Sequence, residues 1–217
     1  MASDSRLLIA PSLLAADFGR LKEEIQRVEE AGADWLHVDI MDGHFVPNLT
    51  MGPFIVEAIK RVSRIPLDCH LMIEHPEKYA EAFVKAGADW ICVHPEASGD
   101  AHKALEIARK AGARPALAIN PPTSVESIDS YRDKIEMLLI MTIFPGFGGQ
   151  KLMPECLPKY KQARALFGPD LLLEIDGGVT VDNVKVVREA GAEVIVAGTA
   201  VFRAEDPAAA VQALKRD

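Results

Sequence analysis

The sequence predicts a closed parallel (β/α)8 barrel, and three observations carry that prediction. Eight short apolar runs alternate strictly with eight amphipathic helical patterns along the 217 residues. The runs are nearly continuous in apolar residues, as in strands covered on both faces, and do not alternate as half-exposed strands do. Finally, the polar oddities of the chain follow the apolar runs, while the connections after helices are little more than Ala-Gly-Ala. Such barrels carry their chemistry on the loops at the strand C-terminal ends, so this one-sided distribution is the strongest of the three.

Strands are expected at Leu7–Pro11, Trp35–Asp39, Leu67–Met72, Trp90–Val93, Pro115–Ile119, Met137–Ile143, Leu171–Ile175 and Val194–Ala197. Helical patterns lie around Leu21–Glu30, Pro53–Val62, Pro76–Lys85, Ala101–Lys110, Val125–Tyr131, Pro154–Phe167, Val181–Glu189 and Pro207–Lys215, the fifth being short and weak. Ala-Gly-Ala recurs at 31–33, 86–88, 111–113 and 190–192. Glycine just past a helix supplies the left-handed C-cap that other residues resist, so each instance marks helix end, tight turn and strand start. No linker interrupts the series, and residues 1–217 are expected to form a single domain.

Composition narrows the function. Hydrophobic content of 49% and charged content of 26% are ordinary for a soluble globular protein. A net charge of −8 argues against nucleic acid or an anionic membrane as partner. It leaves room for a small phosphorylated ligand held on backbone N–H groups. The opening Met1-Ala-Ser-Asp-Ser-Arg lacks the apolar stretch of a signal peptide, and no run approaches the ~20 apolar residues of a membrane span. A cytoplasmic enzyme is expected. Cys69, Cys92 and Cys156 sit at no metal-type spacing and read as reduced thiols packed as small hydrophobes. The acidic runs Lys22-Glu23-Glu24 and Glu29-Glu30 read as solvated helix surface.

Four residues at strand ends stand out: His37, Asp39, His70 and Asp176. On a strand, His37, Asp39 and Met41 share one face, and burying such charge requires a partner. Two imidazoles and two carboxylates suit one divalent ion of Zn, Fe, Mn or Co, and suit Mg less well. Ser12 follows the first strand. Glycine-bearing turns follow the last three, at Gly146-Phe147-Gly148-Gly149, Gly177-Gly178 and Gly198-Thr199. The first lacks the Lys-Ser/Thr of a P-loop and does not match the dinucleotide fingerprint. The other two fall where these barrels bind phosphate. Met41, Met72 and Met141, near the mouths of their strands, read as an apolar, polarizable wall. His94 and Glu96 read either as outer partners of the candidate ligands or, the reading preferred here, as loop caps, and His44, His75 and His102 as loop or surface residues.

The stretches Ile9-Ala-Pro-Ser-Leu-Leu-Ala-Ala-Asp-Phe18, His37-Val-Asp-Ile-Met-Asp-Gly-His-Phe-Val-Pro-Asn-Leu-Thr50, Pro145-Gly-Phe-Gly-Gly-Gln150, Glu174-Ile-Asp-Gly-Gly-Val179 and Ala197-Gly-Thr-Ala200 resemble the ribulose-phosphate 3-epimerase family. The likeness covers essentially the whole chain in order. It implies a TIM barrel that interconverts D-ribulose 5-phosphate and D-xylulose 5-phosphate, in the pentose phosphate pathway and, in photosynthetic organisms, the Calvin cycle. By resemblance, His37, Asp39, His70 and Asp176 match the metal ligands, with Asp39 and Asp176 doubling as acid/base groups. Ser12, His70 and Asp176 match substrate contacts, and Gly146, Phe147, Gly148, Gly149, Gly177, Gly178, Gly198 and Thr199 match contacts on the phosphate side. The expected partners are one divalent ion, no organic cofactor and a small ketose phosphate, with the exposed helical ring supporting a homo-oligomer. Phe144 stands where the family usually has a polar residue, and Ala116 where a glycine is common; Phe144 bears on loop packing or substrate fit.

Three other readings compete. A 3-epimerase for a hexulose phosphate such as D-allulose 6-phosphate would use the same constellation. A catalytically silent phosphate- or metal-binding barrel is opposed by the intact aspartates at both acid/base positions. A barrel decarboxylase would want a cation near the departing carboxylate, and no strand end offers an obvious lysine.

Overall fold

A computed structural model describes residues 7–216, so the reading of Met1–Arg6 lies outside the described residues. The eight strands are β1 Leu8–Pro11, β2 Leu36–Met41, β3 Leu67–Met72, β4 Trp90–Val93, β5 Arg114–Ile119, β6 Met137–Met141, β7 Leu172–Asp176 and β8 Val194–Ala197. All pair in parallel, in the order β1-β8-β7-β6-β5-β4-β3-β2. A parallel bridge from Ser12 to His37 spans the remaining seam between β1 and β2 and closes the cylinder. The (β/α)8 prediction is therefore correct.

Helices α1 Leu21–Glu30, α2 Pro53–Val62, α3 Ala80–Ala86, α4 Ala101–Ala111, α5 Pro158–Phe167, α6 Val184–Ala190, α7 Thr199–Phe202 and α8 Pro207–Lys215 complete the chain. The weak fifth pattern is a 3-10 segment, Glu126–Tyr131, bent at Ile128. Two longer patterns break in two: Pro76–Lys78 and Pro154–Cys156 are 3-10 turns ahead of α3 and α5. Pro158 opens α5 at a position where its missing N–H costs nothing. The short α7, directly after β8, has too few residues to show a periodicity. Glycines cap α3, α4 and α6 in the left-handed region, as the Ala-Gly-Ala phrase predicts; after α1 the cap is Ala31, and Gly32 just beyond it takes the left-handed conformation at φ +92.

Strand alternation divides the core in two. Outward residues such as Ile9, Val38, Ile40, Leu71, Ile140 and Ile195 pack beneath the helices. Inward residues include Ala10, Cys92, Ala116, Ala118, Leu139, Val194 and Val196, small or apolar, so the departure at Ala116 is interior packing. Apart from exposed Arg114 at the far rim, the charged and histidine inward side chains among the described residues lie on β2, β3 and β7. Register sets His37 beside Asp68, Asp39 beside His70 and Met41 beside Met72. Across the barrel, Glu174 and Asp176 pair with Leu139 and Met141. The end opposite the strand C-termini is shut by Trp35 against Trp90, centroids 5.2 Å apart, with the Arg114 guanidinium 4.0 Å over the Trp90 ring.

All three cysteines are buried and free. The acidic runs are only partly surface. Glu24 is buried and accepts from Arg27 at 2.8 Å, while Glu29 accepts from the Ser63 hydroxyl and the Arg64 backbone N–H, tying α1 to the end of α2. Among the described residues no helix is long and apolar enough to cross a membrane.

Candidate active site

A cavity of about 640 Å³ opens at the strand C-terminal end. Its wall includes Ser12, Asp39, Met41, Met72, Met141 and Asp176, and all the glycine-bearing turns singled out above together with Phe147 and Thr199. His37 and His70 lie behind this wall, wholly buried. Sequence reasoning missed several lining residues, among them Thr180, Asn183 and Arg203. Phe144 points outward, 56% exposed, and is not part of the wall. Its carbonyl instead accepts from Gln150 Nε2, which also bonds the Phe147 carbonyl and folds the loop on itself.

The four strand-end residues converge. One ligand atom from each of His37, Asp39, His70 and Asp176 lies within 4.8 Å of all the others. Asp39 Oδ1 is 3.4 Å from His37 Nε2 and 3.6 Å from His70 Nδ1. Both nitrogens are buried without a hydrogen-bond partner, an arrangement that calls for an explanation in a native core. Asp39 Oδ2 accepts from Ser12 Oγ at 2.6 Å, so the first loop positions the second strand's carboxylate. The far nitrogen of each imidazole is occupied: His37 Nδ1 is 2.6 Å from Asp68 Oδ2, and His70 Nε2 is 2.8 Å from His94 Nε2. Outer partners of this kind orient metal-binding imidazoles. The donor set therefore fits a borderline divalent ion.

For His94 the structure overturns the preferred loop-cap reading and favours the other, an outer partner of a candidate ligand. His94 is fully buried against His70 and the Phe45 ring, and is not a loop cap. Glu96 does cap the next loop, accepting from Asn120 N–H and the Thr123 hydroxyl, but its other oxygen lies 3.3 Å from His94 Nδ1. Beneath the four lie Asp68 and Glu174, both wholly buried and missed by sequence reasoning. Neither Glu174 carboxyl oxygen has a hydrogen-bond partner.

The electrostatics split the two aspartates. Burial opposes the Asp39 charge, yet the His37 and His70 rings hold its carboxyl well below the usual range. Burial, then the Asp39 charge, pushes Asp176 up to about 7. Burial works against a charged His37, but Asp39 and Asp68 raise it well above an ordinary imidazole. Burial and the neighbouring Asp68 raise Glu174 well above an ordinary carboxylic acid. One wall thus offers a carboxylate and the other a group that holds a proton near neutrality, a division suited to acid/base work.

The turn after β7 is tightly built. Thr142 Oγ1 donates to the Gly177 carbonyl at 2.7 Å, and Asn183 Nδ2 to the Gly178 carbonyl at 2.9 Å. Gly178 has φ +68, and a Cβ there would collide with Leu152 N and lie 2.8 Å from Leu152 Cα. Gly178→Ala should therefore destabilise by more than the about 1–2 kcal/mol of a left-handed conformation alone. Thermal unfolding should record this as a drop of about 2–4 °C per kcal/mol; an unchanged midpoint would mean that the Leu152 segment yields freely.

The Ribulose-phosphate 3 epimerase family model matches residues 8–202. A relative from Bacillus subtilis named ribulose-phosphate 3-epimerase is 46% identical, over 95% of this chain and 97% of its own. One of the same name from Synechocystis sp. is 48% identical over 96% and 93%. A relative from Arabidopsis thaliana, named ribulose-5-phosphate-3-epimerase, chloroplastic, is 42% identical over 98% and 78%. Among solved structures, KGPDC from Streptococcus mutans superposes with TM-score 0.72 at 17% identity, covering 96% of each chain. A 3-hexulose-6-phosphate synthase from Salmonella typhimurium does so with TM-score 0.72 at 16% identity, over 96% and 97%. The structural likenesses bear on the barrel alone, whereas the family match and the sequence relatives make this chain a member of the ribulose-phosphate 3-epimerase family.

Proposed function

We propose that this enzyme interconverts D-ribulose 5-phosphate and D-xylulose 5-phosphate by exchanging the C3 proton between opposite faces of the sugar. The observation that carries the reading is the convergence of Asp39 and Asp176, from strands on different sides of the barrel, on one cavity. The C3 proton is acidified by the adjacent carbonyl. The Asp39 carboxylate takes it from one face, and the C–H electron pair moves into the carbonyl to give a planar cis-enediolate. Asp176, holding a proton, delivers it to C3 from the opposite face as the carbonyl re-forms. In the reverse direction the roles exchange. Each turnover leaves the proton on the other aspartate, and exchange with solvent resets the pair.

His37, Asp39, His70 and Asp176 would hold a divalent ion, which when bound supplies Lewis-acid polarisation of the carbonyl and countercharge for the enediolate oxygens. The Ser12 hydroxyl keeps Asp39 aimed into the cavity. Met41, Met72 and Met141 would exclude water from the reacting carbons. The turns Gly146–Gly149, Gly177-Gly178 and Gly198-Thr199 would receive the phosphate on backbone N–H groups. A cytoplasmic location accords with the bacterial relatives, while the Arabidopsis relative carries a chloroplast name.

Turnover of D-ribulose 5-phosphate followed by NMR in D₂O tests the assignment. D-xylulose 5-phosphate carrying deuterium at C3 is the expected product. No label at C3 would leave a silent binding barrel, and faster turnover of D-allulose 6-phosphate would reassign the sugar.

A further inference from the structure

We infer that Glu96, acting through His94, dictates which ring nitrogen of His70 carries hydrogen and so makes both of them positioning residues for the candidate metal site. The inference rests on the metal reading above but concerns residues outside the four ligands. The two His70 nitrogens have opposite surroundings. Nδ1 is buried, has no partner and faces Asp39 Oδ1 at 3.6 Å. Nε2 is 2.8 Å from His94 Nε2. Two neutral imidazoles at that separation share a single hydrogen, so one ring donates and the other accepts. Nothing at the contact itself selects the direction, and at the near end Asp39 Oδ1, 3.6 Å from Nδ1, is beyond hydrogen-bond reach.

The far end of the chain selects it. His94 Nδ1 lies 3.3 Å from Glu96 Oε2, and an ionised carboxylate only accepts. His94 therefore carries its hydrogen on Nδ1 and leaves Nε2 bare. His70 must then carry hydrogen on Nε2, which bares Nδ1 on the side of Asp39 and Asp176. Glu96 is held to this role by its other oxygen, which accepts both the Asn120 N–H at 2.8 Å and the Thr123 hydroxyl. His70 and His94 are wholly buried, and the Phe45 ring packs 4.9 Å from His94, so bulk water does not compete for their nitrogens. His37 is placed similarly by a shorter route, its Nδ1 lying 2.6 Å from Asp68 Oδ2 while its Nε2, facing Asp39, has no hydrogen-bond partner.

Glu96→Gln makes the inference sharp because it keeps the shape and removes one acceptor. The single amide oxygen is claimed by the Asn120 and Thr123 donors, turning the NH₂ toward His94. An NH₂ only donates, so the hydrogen pattern reverses through both rings and ends with hydrogen on His70 Nδ1. Long-range ¹H–¹⁵N correlation on metal-free, ¹⁵N-histidine-labelled protein reads this directly, and competition with a chelator reads Zn²⁺ affinity. Wild type should show His70 as the Nε2–H tautomer. E96Q should show Nδ1–H and bind Zn²⁺ about 10–100-fold more weakly, the usual cost of losing an outer-shell partner. The double variant H94Q/E96Q should recover both, because a glutamine at 94 can present its own carbonyl oxygen to His70. An unchanged tautomer in E96Q overturns the relay, as does weaker Zn²⁺ binding with the wild-type tautomer retained. A wild type that binds no Zn²⁺ would remove the metal reading while the tautomer measurement still decides the relay.

Discussion

Replacing Asp39 or Asp176 with asparagine is expected to lower kcat by at least about 10³-fold while leaving the barrel folded. A positioned acid or base alone contributes about 10²–10⁴-fold. Each substitution also removes one of the four groups that converge on the candidate ion site. The two variants should differ in stability. At Asp39 an amide loses the charge that faces His37 and His70 and presents a different partner to the Ser12 hydroxyl. At Asp176, a carboxyl whose pKa burial and Asp39 already raise to about 7, the loss of charge is a smaller change. Steady-state kinetics with far-UV circular dichroism would check both points, and near-normal turnover by either folded variant would defeat the acid/base assignment.

Removing bound metal should be comparably severe. Lewis-acid stabilisation of an enediolate is worth several kcal/mol, and each 1.36 kcal/mol is a factor of ten in rate. Exhaustive chelation should therefore cost about 10³-fold in turnover, with recovery on adding back Zn²⁺, Fe²⁺, Mn²⁺ or Co²⁺. The melting temperature should fall as well, since an ion bound only by the folded chain stabilises it by mass action. Full activity in protein shown by elemental analysis to be metal-free would end the Lewis-acid reading.

The parts of the site that were legible in the sequence are those whose chemistry conflicts with their surroundings. His37 and Asp39 interrupt an apolar strand, and the glycine turns fall only after strands, so both could be read from one chain. Asp68 and Glu174 were legible in principle. Each stands two residues before a candidate site residue, His70 and Asp176, and alternation puts both members of each pair on the inward face. The contact between His94 and His70 was not legible, because it depends on how two neighbouring strands align in space. Helix limits were readable where a glycine cap or proline punctuates them, as at Gly112 and Pro207. They were lost where a proline splits a continuous pattern, as at Pro158. Glu29 misled because charge on a helix usually means solvent; here the end of α2 supplies two donors to it.

The tryptophan pair and the arginine over it pack across the end of the cylinder opposite the cavity that Asp39 and Asp176 line. In the proposed reaction two epimers that differ only at one carbon would compete for that one cavity, so each direction would be throttled by the other sugar, and accumulated product would slow the enzyme by occupying the space its successor needs.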